Sequence, residues 1–494
     1  MQALSREKYG LLIGGDEILD SSGGVTTVMD PAKGIPVAKV AMAGKPEVDM
    51  AVAAAKAALS GPWAKLRPQE RSKRIFRLAE ILESHIDEMT VLEARQSGKA
   101  VSGGRAEIGQ AVDDFVFYAG LADKVMGRTI PVPGRHLAYT ERVPVGVCAQ
   151  IVPWNYPLMM AAWKVAPAIA AGCTLVLKPA SATPITALLL GEMALEAGIP
   201  PVVVNVLPAP GRTVGADLVT HPDVQKVTFT GETATGREIM AQAARGLKRV
   251  SLELGGKSPS VIFADADLEA AAAGSVYAIY YNAGQSCDAR SRLLVERPAY
   301  DAFLELFVGK AGKITVGDPL DPRVHVGSLI SKAHRDRVHA YVEDGVRSGA
   351  RLAMGGHPLE DGDLAQGAFY APTVLADVDP ASRVAQEEIF GPVVTVTPFD
   401  GEDQAVALAN GTPFGLAGSV WTGDAARGMR VAHAIESGLV GLNTPLTTFP
   451  GTPFGGFRES GFGRELAVET LNLYLEEKCV LAFTGDRPVN PFRL

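Results

Sequence analysis

The chain has 494 residues, of which 47% are hydrophobic and 21% charged, and its formal net charge is −8. That length is sufficient for two or three domains with their own cores, and the composition is that of an ordinary globular protein. The acidic balance argues against a general nucleic-acid-binding role, which calls for a basic surface. Apolar stretches are interrupted by Gly, Pro or charged residues before a membrane span is reached, so no membrane partner is expected.

The N-terminal region indicates the cellular location of the protein, and the cysteines and histidines indicate whether disulfides or metal sites are expected. Residues 1–20 carry several charges and no apolar core of a secretory signal, so a cytoplasmic location is expected. The eight histidines show no paired spacing, and the four cysteines show no CxxC spacing. Neither a disulfide framework nor a metal site is therefore expected. The cysteines are Cys148, Cys173, Cys287 and Cys479.

The first part of the chain is predicted to contain extended segments, then helices, then a hairpin. Residues 25–40 have an extended pattern. From residue 46 onward, apolar residues recur at three-to-four spacing, which predicts helices over residues 48–59, 68–84, 87–96 and about 104–125. Alternation over residues 129–144, around a Pro-Gly pair, then predicts a hairpin that projects from the body.

Strands and helices alternate from residue 146 to residue 263. Such repeated units imply a mostly parallel sheet covered by helices on both faces, with ligands at the carboxyl ends of its strands. This is a dinucleotide-binding architecture. Residues 255–441 resume the alternation, which predicts a second α/β domain, and residues 353–367, rich in Gly and acids, are expected to form an exposed loop.

The stretch from Val250 to Arg292 contains the strongest candidates for catalytic residues. Apolar residues alternate with polar ones until a Gly pair, which predicts a buried strand with Glu253 at its end. A further helix, over residues 268–281, is expected to be capped by either Asp265 or Asp267. Residues 282–285 then end that helix and present Cys287 from a tight turn.

A thiol on a turn and a carboxylate at a strand end suit covalent catalysis, in which a thiolate attacks a carbonyl carbon and the carboxylate later activates water. Neither residue is diagnostic alone. An isolated Cys is more often a small buried apolar residue, and an isolated Glu is more often a surface residue.

The motifs LELGGKSP at residues 252–259 and GQSC at residues 284–287 closely resemble those of the aldehyde dehydrogenase superfamily. The resemblance extends from about residue 20 to residue 485, with the motifs in the family's order. It implies that Cys287 is the nucleophile and Glu253 the general base. It also implies the aldehyde dehydrogenase fold: a Rossmann-like cofactor domain, an α/β catalytic domain and a small β oligomerisation element.

The resemblance also implies how the chain is divided. The NAD(P)-binding domain is expected at residues 1–126 and 147–254, and the catalytic domain at residues 255–446. The oligomerisation element is expected at residues 127–146 and 478–494, and a substrate-tunnel and return segment at residues 447–477. Proteins of this family are usually homodimers or homotetramers, so the same is expected here.

Asn155, in the motif PWNYP at residues 153–157, lies between a predicted strand and a predicted helix. An isolated Asn at such a place is typically a helix cap. The resemblance instead implies that its amide stabilises an oxyanion together with the backbone N–H of Cys287. Lys164 and Glu465 match family positions that relay protons from the general base.

The resemblance implies NAD or NADP as cofactor. Ser181 stands where the family often has a Glu that repels a 2′-phosphate, so NADP is tolerated, with Arg212 as a candidate partner for that phosphate. Glu232 stands at a phosphate-binding turn where the family commonly has Ser, which leaves phosphate contact there in question. The implied cofactor-binding residues are Trp154, Lys178, Ser181, Gly211, Gly231, Glu232, Leu254, Glu388 and Phe390.

The substrate is inferred from the residues that motif position places around the approach to Cys287. These are Tyr156, Trp163, Tyr277, Tyr281 and Phe449, with Asp288 beside the nucleophile and Glu107, Asp113 or Asp114 at the mouth. Aromatic faces with carboxylates attract ammonium groups, which favours an aminoaldehyde or a betaine-like aldehyde.

Several alternatives remain open at the level of sequence. A plain aliphatic or aromatic aldehyde fits if the aromatic residues only form an apolar tunnel, and a semialdehyde fits if Arg290 turns inward. Acyl transfer to coenzyme A is disfavoured because enzymes of that kind generally lack the Glu. A catalytically silent binding protein is disfavoured by the complete set of motif residues.

Overall fold

The structure, a computed structural model, describes residues 4–445 and 448–486. Residues 1–3, 446–447 and 487–494, which fall within the expected domain ranges, lie outside the described residues. In the described part, strands are β1 (Lys8–Tyr9), β2 (Leu11–Ile13), β3 (Asp16–Ile18), β4 (Val25–Asp30), β5 (Ile35–Ala41), β6 (Thr129–Ile130), β7 (His136–Pro144), β8 (Val147–Ile151), β9 (Thr174–Lys178), β10 (Val204–Val206), β11 (Lys226–Thr230), β12 (Arg249–Glu253), β13 (Pro259–Ile262), β14 (Arg292–Glu296), β15 (Arg351–Met354), β16 (Thr373–Ala376), β17 (Val393–Phe399), β18 (Ala417–Trp421), β19 (Leu439–Leu442), β20 (Gly461–Phe462) and β21 (Leu475–Phe483).

The α-helices of the described part are α1 (Lys45–Ala58), α2 (Pro68–Ser84), α3 (Ile86–Ser97), α4 (Val101–Leu121), α5 (Pro157–Ala171), α6 (Ile185–Glu196), α7 (Ala216–Thr220), α8 (Thr233–Ala244), α9 (Leu268–Tyr280), α10 (Tyr300–Ala311), α11 (Lys332–Arg347), α12 (Arg383–Gln386), α13 (Gly401–Ala409) and α14 (Ala425–Ala434). Among the residues described, no helix is long and apolar enough to cross a membrane.

An eight-stranded sheet, in the order β20-β12-β11-β8-β9-β10-β2-β3, carries the first set of predicted site residues. Its five central strands, β12 to β10 in this order, run parallel, whereas β20 and β2 join antiparallel at the two sides. Strands β8, β9 and β11 are buried along their whole length, as expected of parallel strands covered on both faces. The predicted parallel sheet is therefore confirmed.

A seven-stranded sheet, in the order β15-β16-β17-β14-β13-β18-β19, forms the second α/β unit. All its neighbouring strands pair in parallel except β15, which pairs antiparallel with β16 at the edge. The chain passes from the first large sheet to the second between Glu253, where β12 ends, and Pro259, where β13 begins.

Two three-stranded sheets complete the fold, and one of them contains the predicted hairpin. Strands β6 and β7 pair antiparallel, and β21 pairs antiparallel with β7 along nine residues, from Leu475 opposite Pro144 to Phe483 opposite His136. The C-terminal strand therefore begins three residues before the expected boundary at residue 478. The other small sheet has the order β1-β5-β4.

Helix α5 lies at the centre of the largest core, and all fifteen of its residues are buried. It begins with Pro157 at its first turn, where a missing N–H costs nothing, and ends before Gly172, whose φ of 88° is left-handed. Helix α9 is capped by Asp267, whose side chain accepts a hydrogen bond from the Ala270 N–H. Asp265 instead bonds the Thr422 hydroxyl, which decides between the two expected caps.

Candidate active site

Four adjacent strands of the eight-stranded sheet end at one edge, and each brings a predicted site residue there. Glu253 is the last residue of β12, and Lys178 is the last residue of β9. Gly231 directly follows β11, and Asn155 lies between β8 and α5. Because the carboxyl ends of parallel strands share an edge, the fold gathers residues that are far apart in sequence.

The turn before Cys287 is left-handed over three consecutive residues. Asn282, Ala283 and Gly284 have φ values of 51°, 55° and 70°. Gly284 also packs tightly, since a Cβ there would lie 2.1 Å from the Gly391 carbonyl oxygen. The turn reverses the chain after α9 and leaves Cys287 half-buried.

Asn155 is tied to this turn and does not cap the helix that follows it. Its side-chain amide donates to the Gln285 carbonyl over 2.9 Å, and its backbone carbonyl accepts from the Asn282 side chain over 3.0 Å. The N-cap of α5 is Tyr156, without a side-chain capping bond. The amide is therefore held next to the nucleophile's turn, with one of its two N–H groups engaged by Gln285.

Two cavities meet at Cys287, which lines both of them. The first has a volume of about 540 Å³, and the second has a volume of about 400 Å³. The predicted tunnel residues that line the first cavity are Tyr156, Trp163, Tyr277, Tyr281, Asp288 and Phe449. The predicted residues that line the second are Trp154, Asn155, Gly231, Glu232, Glu253, Leu254, Glu388 and Phe390.

The other predicted cofactor residues lie outside the lining of the second cavity, at the ends of β9 and β10. Lys178 is buried, and its Nζ donates to the Pro179 carbonyl oxygen over 3.2 Å. Burial lowers the pKa of Lys178 to about 8. The Ser181 hydroxyl donates to the Ala209 carbonyl oxygen, and Gly211 begins the helical turn that follows β10.

Glu388 is positioned by the glycines after the catalytic strand. Its Oε1 accepts a hydrogen bond from the Gly256 N–H over 3.1 Å, and a Cβ at Gly255 would lie 2.2 Å from its Oε2. Burial raises the pKa of Glu388 to about 7. The missing side chain at Gly255 therefore leaves the space in which this carboxylate approaches the end of β12.

A buried group of charges surrounds the predicted general base. Lys164 and Glu465 form an ion pair with both side chains buried. Burial raises the pKa of Glu253 well above its ordinary value, the nearby Glu465 carboxylate raises it further, and Lys164 opposes both effects. Glu253 Oε2 has no hydrogen-bond partner among the described residues, so it is available to a water molecule.

Burial also raises the pKa of the Cys287 thiol well above its ordinary value. Three carboxylates add to this effect, in the order Asp288, Glu388 and Glu253. They come from three different parts of the fold: the nucleophile's own turn, the segment before β17 and the end of β12. The charge state of each one consequently affects how readily Cys287 loses its proton.

The acids expected at the mouth of the first cavity have different environments. Asp113 lines the cavity and is exposed, and Glu107 lines it from a buried position, in an ion pair with Lys99. Burial raises the pKa of Glu107 to about 7. Asp114 does not line the cavity and is fully buried, so its expected place at the mouth is wrong. Consecutive helix residues point about 100° apart, which turns Asp114 into the core.

Arg290 turns inward, with 1% of its surface exposed, and lines the first cavity. Its Nη1 donates to Asp288 Oδ2 over 2.9 Å. The two inner acids of this cavity, Glu107 and Asp288, are thus each paired with a cation.

Sequence reasoning missed further residues on both cavities. Glu83, near the end of α2, lines the first cavity, and His334, from α11, lines the second. The His334 ring lies 5.7 Å from the Trp154 ring and 6.3 Å from the Phe390 ring. Both residues lie on helices with ordinary amphipathic patterns, which carry no indication of where the helix is docked.

Comparison with known proteins identifies the family of the chain. The model of the aldehyde dehydrogenase family matches residues 18–480. The betaine aldehyde dehydrogenase of Bacillus subtilis is 41% identical over 485 residues, which cover 98% of this chain and 99% of that protein. The cytosolic 10-formyltetrahydrofolate dehydrogenase of Xenopus tropicalis is 42% identical over 482 residues, which cover 96% of this chain. The chain spans about half, 53%, of the length of that relative.

A solved structure extends the likeness to the fold. Betaine aldehyde dehydrogenase from Staphylococcus aureus, in complex with NAD+, has a TM-score of 0.97 and 36% sequence identity, covering 99% of this chain and 98% of that one. The family match spans most of the chain, and the sheet order and the Cys287 turn provide the scaffold that its motifs require. The chain belongs to the aldehyde dehydrogenase family.

Proposed function

We propose that this protein oxidises an aldehyde to the carboxylic acid with NAD or NADP. The observation that carries the proposal is the position of Cys287 at the junction of two cavities, one lined by aromatic residues and one by the predicted cofactor residues. A nucleophile at such a junction can hold a substrate carbonyl within reach of a redox cofactor.

The second cavity and its margin suit a dinucleotide. The turn at Gly231 and Glu232 leads into α8, so backbone N–H groups are available to a pyrophosphate. Lys178 has no carboxylate partner among the described residues and is suited to the adenosine ribose, and Glu388 is suited to the nicotinamide ribose. Bound NAD or NADP would supply the hydride acceptor.

In the proposed mechanism, Cys287 first loses its proton to solvent, and the thiolate then attacks the carbonyl carbon; the C=O π electrons move onto oxygen and give a thiohemiacetal oxyanion. The Asn155 amide and the Cys287 backbone N–H stabilise the oxyanion. After oxidation to the thioester, Glu253 removes a proton from water, which hydrolyses the thioester and releases the acid. Lys164 and Glu465 then take part in moving that proton away from Glu253.

Two substitutions test these roles. Cys287→Ala is expected to abolish formation of the reduced cofactor, since no covalent intermediate can form. Glu253→Gln is expected to leave a first-turnover burst but to lower the steady rate by about 10²- to 10⁴-fold, because water is no longer activated. Stopped-flow absorbance measures both phases. Full steady activity in either variant would exclude the assigned role.

Product analysis separates hydrolysis from acyl transfer. With Glu253 in place, the carboxylic acid is expected as product whether or not coenzyme A is present. An acyl-coenzyme A product would overturn this assignment. A catalytically silent protein would produce no reduced cofactor with any member of a broad aldehyde panel.

For the substrate, we infer an aminoaldehyde or a betaine-like aldehyde. Aromatic rings line the first cavity, and exposed Glu83 and Asp113 place negative charge at its mouth, an arrangement that attracts ammonium groups. The Bacillus subtilis relative carries the name betaine aldehyde dehydrogenase. A semialdehyde is the second candidate because Arg290 points inward, although its charge is shared with Asp288.

The substrate class is tested by comparing kcat/KM for an ω-aminoaldehyde, a neutral aldehyde of equal length and a semialdehyde. We expect the cationic substrate to be best. Replacing the mouth acids, with Glu83→Gln and Asp113→Asn together, is expected to lower that preference several-fold. Glu80→Gln, three residues from Glu83 but outside the cavity lining, is the matched control. A preference for either other substrate would refute the charge-based assignment.

For the cofactor, we propose use of both NAD and NADP. Ser181 is neutral, and its hydroxyl is engaged by the Ala209 carbonyl, so it does not repel a 2′-phosphate. The nearby Arg212 is exposed and can approach that phosphate. Steady-state kinetics with each nucleotide measures the preference. A preference for NAD above about a thousandfold, or roughly 4 kcal/mol, would contradict the argument from Ser181.

We also propose a homodimeric or homotetrameric, cytoplasmic protein. The pairing of β6, β7 and β21 in one sheet supports the proposal that these strands form the oligomerisation element. The Xenopus tropicalis relative is named as cytosolic, which supports the proposed location. Cell fractionation with an antibody would test it, and recovery in a membrane or secreted fraction would refute it.

A further inference from the structure

A chain of hydrogen bonds encloses the nucleophile through the residues on either side of it. The Tyr156 hydroxyl donates to Ser286 Oγ over 3.0 Å, and Ser286 Oγ donates to Asp288 Oδ1 over 2.6 Å. From the other side, Arg290 Nη1 donates to Asp288 Oδ2 over 2.9 Å. Both oxygens of the Asp288 carboxylate are thus held, and the two residues that flank Cys287 are linked to each other.

Arg290 and Arg292 differ in their hydrogen-bond partners. The Arg292 guanidinium donates to three backbone carbonyls, those of Lys257, Leu408 and Ala409, and so connects separate segments of the fold. Within residues 4–445 and 448–486, Arg290 donates only through Nη1, to the carbonyl and the carboxylate of Asp288. Its Nε and Nη2 have no hydrogen-bond partner among the described residues, so Arg290 does not join separate segments of the fold as Arg292 does.

The Arg290–Asp288 ion pair lies next to the nucleophile, so its net charge affects the Cys287 thiol. Asp288 adjoins the nucleophile in sequence, and of the charged groups that face Cys287 it has the largest effect on the thiol, ahead of Glu388 and Glu253. An unopposed carboxylate near a thiol disfavours the thiolate, and a buried guanidinium paired with that carboxylate offsets part of the effect. Arg290 is 1% exposed, so solvent screens the pair weakly.

We propose that Arg290 is a positioning residue for the nucleophile, which fixes the Asp288 carboxylate and partly offsets its charge beside Cys287. The proposal rests on the proposed function in that it takes Cys287 as the nucleophile. Arg290 does not touch the reacting atoms in this role. It acts through Asp288, and through Ser286 it also steadies the wall of the first cavity that Tyr156 forms.

The test is the pH dependence of alkylation at Cys287 by iodoacetamide, followed by mass spectrometry of the peptide that contains it. Arg290→Gln is expected to raise the midpoint of the profile by about one pH unit, and so to slow alkylation about tenfold below it. Asp288→Asn is expected to lower the midpoint. The double variant, Asp288→Asn with Arg290→Gln, is expected to return close to the wild-type value, because both charges are gone.

Two further variants make the outcome decisive. Arg290→Lys keeps the charge and is expected to restore most of the wild-type profile. Arg335→Gln breaks another largely buried arginine's ion pairs, with Asp336 and Glu360, outside the lining of both cavities and is expected to leave the profile unchanged. An unchanged midpoint in Arg290→Gln overturns the proposal. If Arg290→Gln does not fold, an unchanged midpoint in Asp288→Asn overturns it instead.

The readout also separates this proposal from the assignment of Cys287. Alkylation is measured at the thiol itself and needs no turnover. Residual activity in Cys287→Ala would refute the catalytic role of the thiol. An unchanged alkylation profile in Arg290→Gln, with Cys287→Ala inactive, would refute only the role of Arg290.

Discussion

Asp113 and Asp114 are neighbours in sequence with opposite environments. Asp113 is exposed at the mouth of the first cavity, whereas Asp114 is fully buried and neither of its carboxyl oxygens has a partner among the described residues. Burial raises the pKa of Asp114 well above its ordinary value, while the indole of Trp163 acts in the opposite direction. A buried acid of this kind is most stable with its proton bound.

Asp114 is therefore expected to make stability depend on pH. In the unfolded chain an Asp loses its proton near pH 4, whereas in the folded protein it retains the proton to higher pH. Between the two pKa values the folded state binds more protons, so the free energy of unfolding falls as pH rises, by about 1.4 kcal/mol per pH unit. Asp114→Asn removes this loss and is expected to be more stable than wild type above about pH 4.

Denaturant unfolding at several pH values measures the difference between Asp114→Asn and wild type. The difference in the free energy of unfolding should increase as pH rises and then become constant above the pKa of Asp114 in the folded protein. Asp16→Asn, at an exposed position of β3 and not among the charges that act on Asp114, serves as the control for the change from Asp to Asn. A constant gap for Asp114→Asn across the pH range would contradict the buried, protonated state.

At the scale of elements, the turn between α9 and β14 sets the position of the nucleophile. Gly284 has φ of 70°, and a Cβ there would collide with the backbone of Gly391, 2.1 Å away. The segment around Gly391 also holds Glu388 and Phe390, which line the second cavity. A change at Gly284 consequently affects the nucleophile and the predicted cofactor site together.

Gly284→Ala is expected to lower both stability and activity. The left-handed backbone alone costs about 1–2 kcal/mol for a residue with a Cβ. Displacement of the turn by up to 1 Å is expected to reduce kcat/KM by up to about a hundredfold. Gly309→Ala, at an exposed position of α10 with open space around it, is the control and should stabilise by about 0.5–1 kcal/mol. Wild-type kinetics in Gly284→Ala would show that the turn tolerates displacement.

At the scale of the whole molecule, β21 is an edge strand in the part of the chain that the structure describes. It is the outer strand of its three-stranded sheet, pairs with β7 on one side only, and is mostly exposed or half-buried, with Leu481 62% exposed. A long exposed edge strand with apolar residues is a template for pairing with another chain. We therefore expect this edge to lie in the interface of the proposed homo-oligomer.

Leu481→Lys is expected to shift the protein toward a smaller assembly, because a charge in the interface loses hydration without a partner. Light scattering coupled to size-exclusion chromatography measures the mass. Val346→Lys, at an exposed apolar position on α11, is the control and should keep the wild-type mass. A wild-type mass for Leu481→Lys, or a monomeric wild-type protein, would contradict the expectation that β21 lies in the interface.

The sequence by itself determined the elements whose ends carry local signals. The helix over residues 68–84 was predicted to the residue, because its apolar residues recur at three-to-four spacing and a Pro stands at its first turn. Glu253 at a strand end and Cys287 on a turn followed from Gly placement in the same way. Cofactor and tunnel motifs were found through resemblance, and most of those residues line the two cavities.

Tertiary structure alone decided how charges are paired and which way long side chains point. Periodicity gives the face of a helix but not the element that covers it, so Asp114 was expected at the cavity mouth and lies in the core instead. The inward turn of Arg290 depends on a carboxylate held by Ser286, and Glu107 depends on Lys99 from the segment before α4. Such pairings arise from packing between elements far apart in sequence, and a local pattern does not encode them.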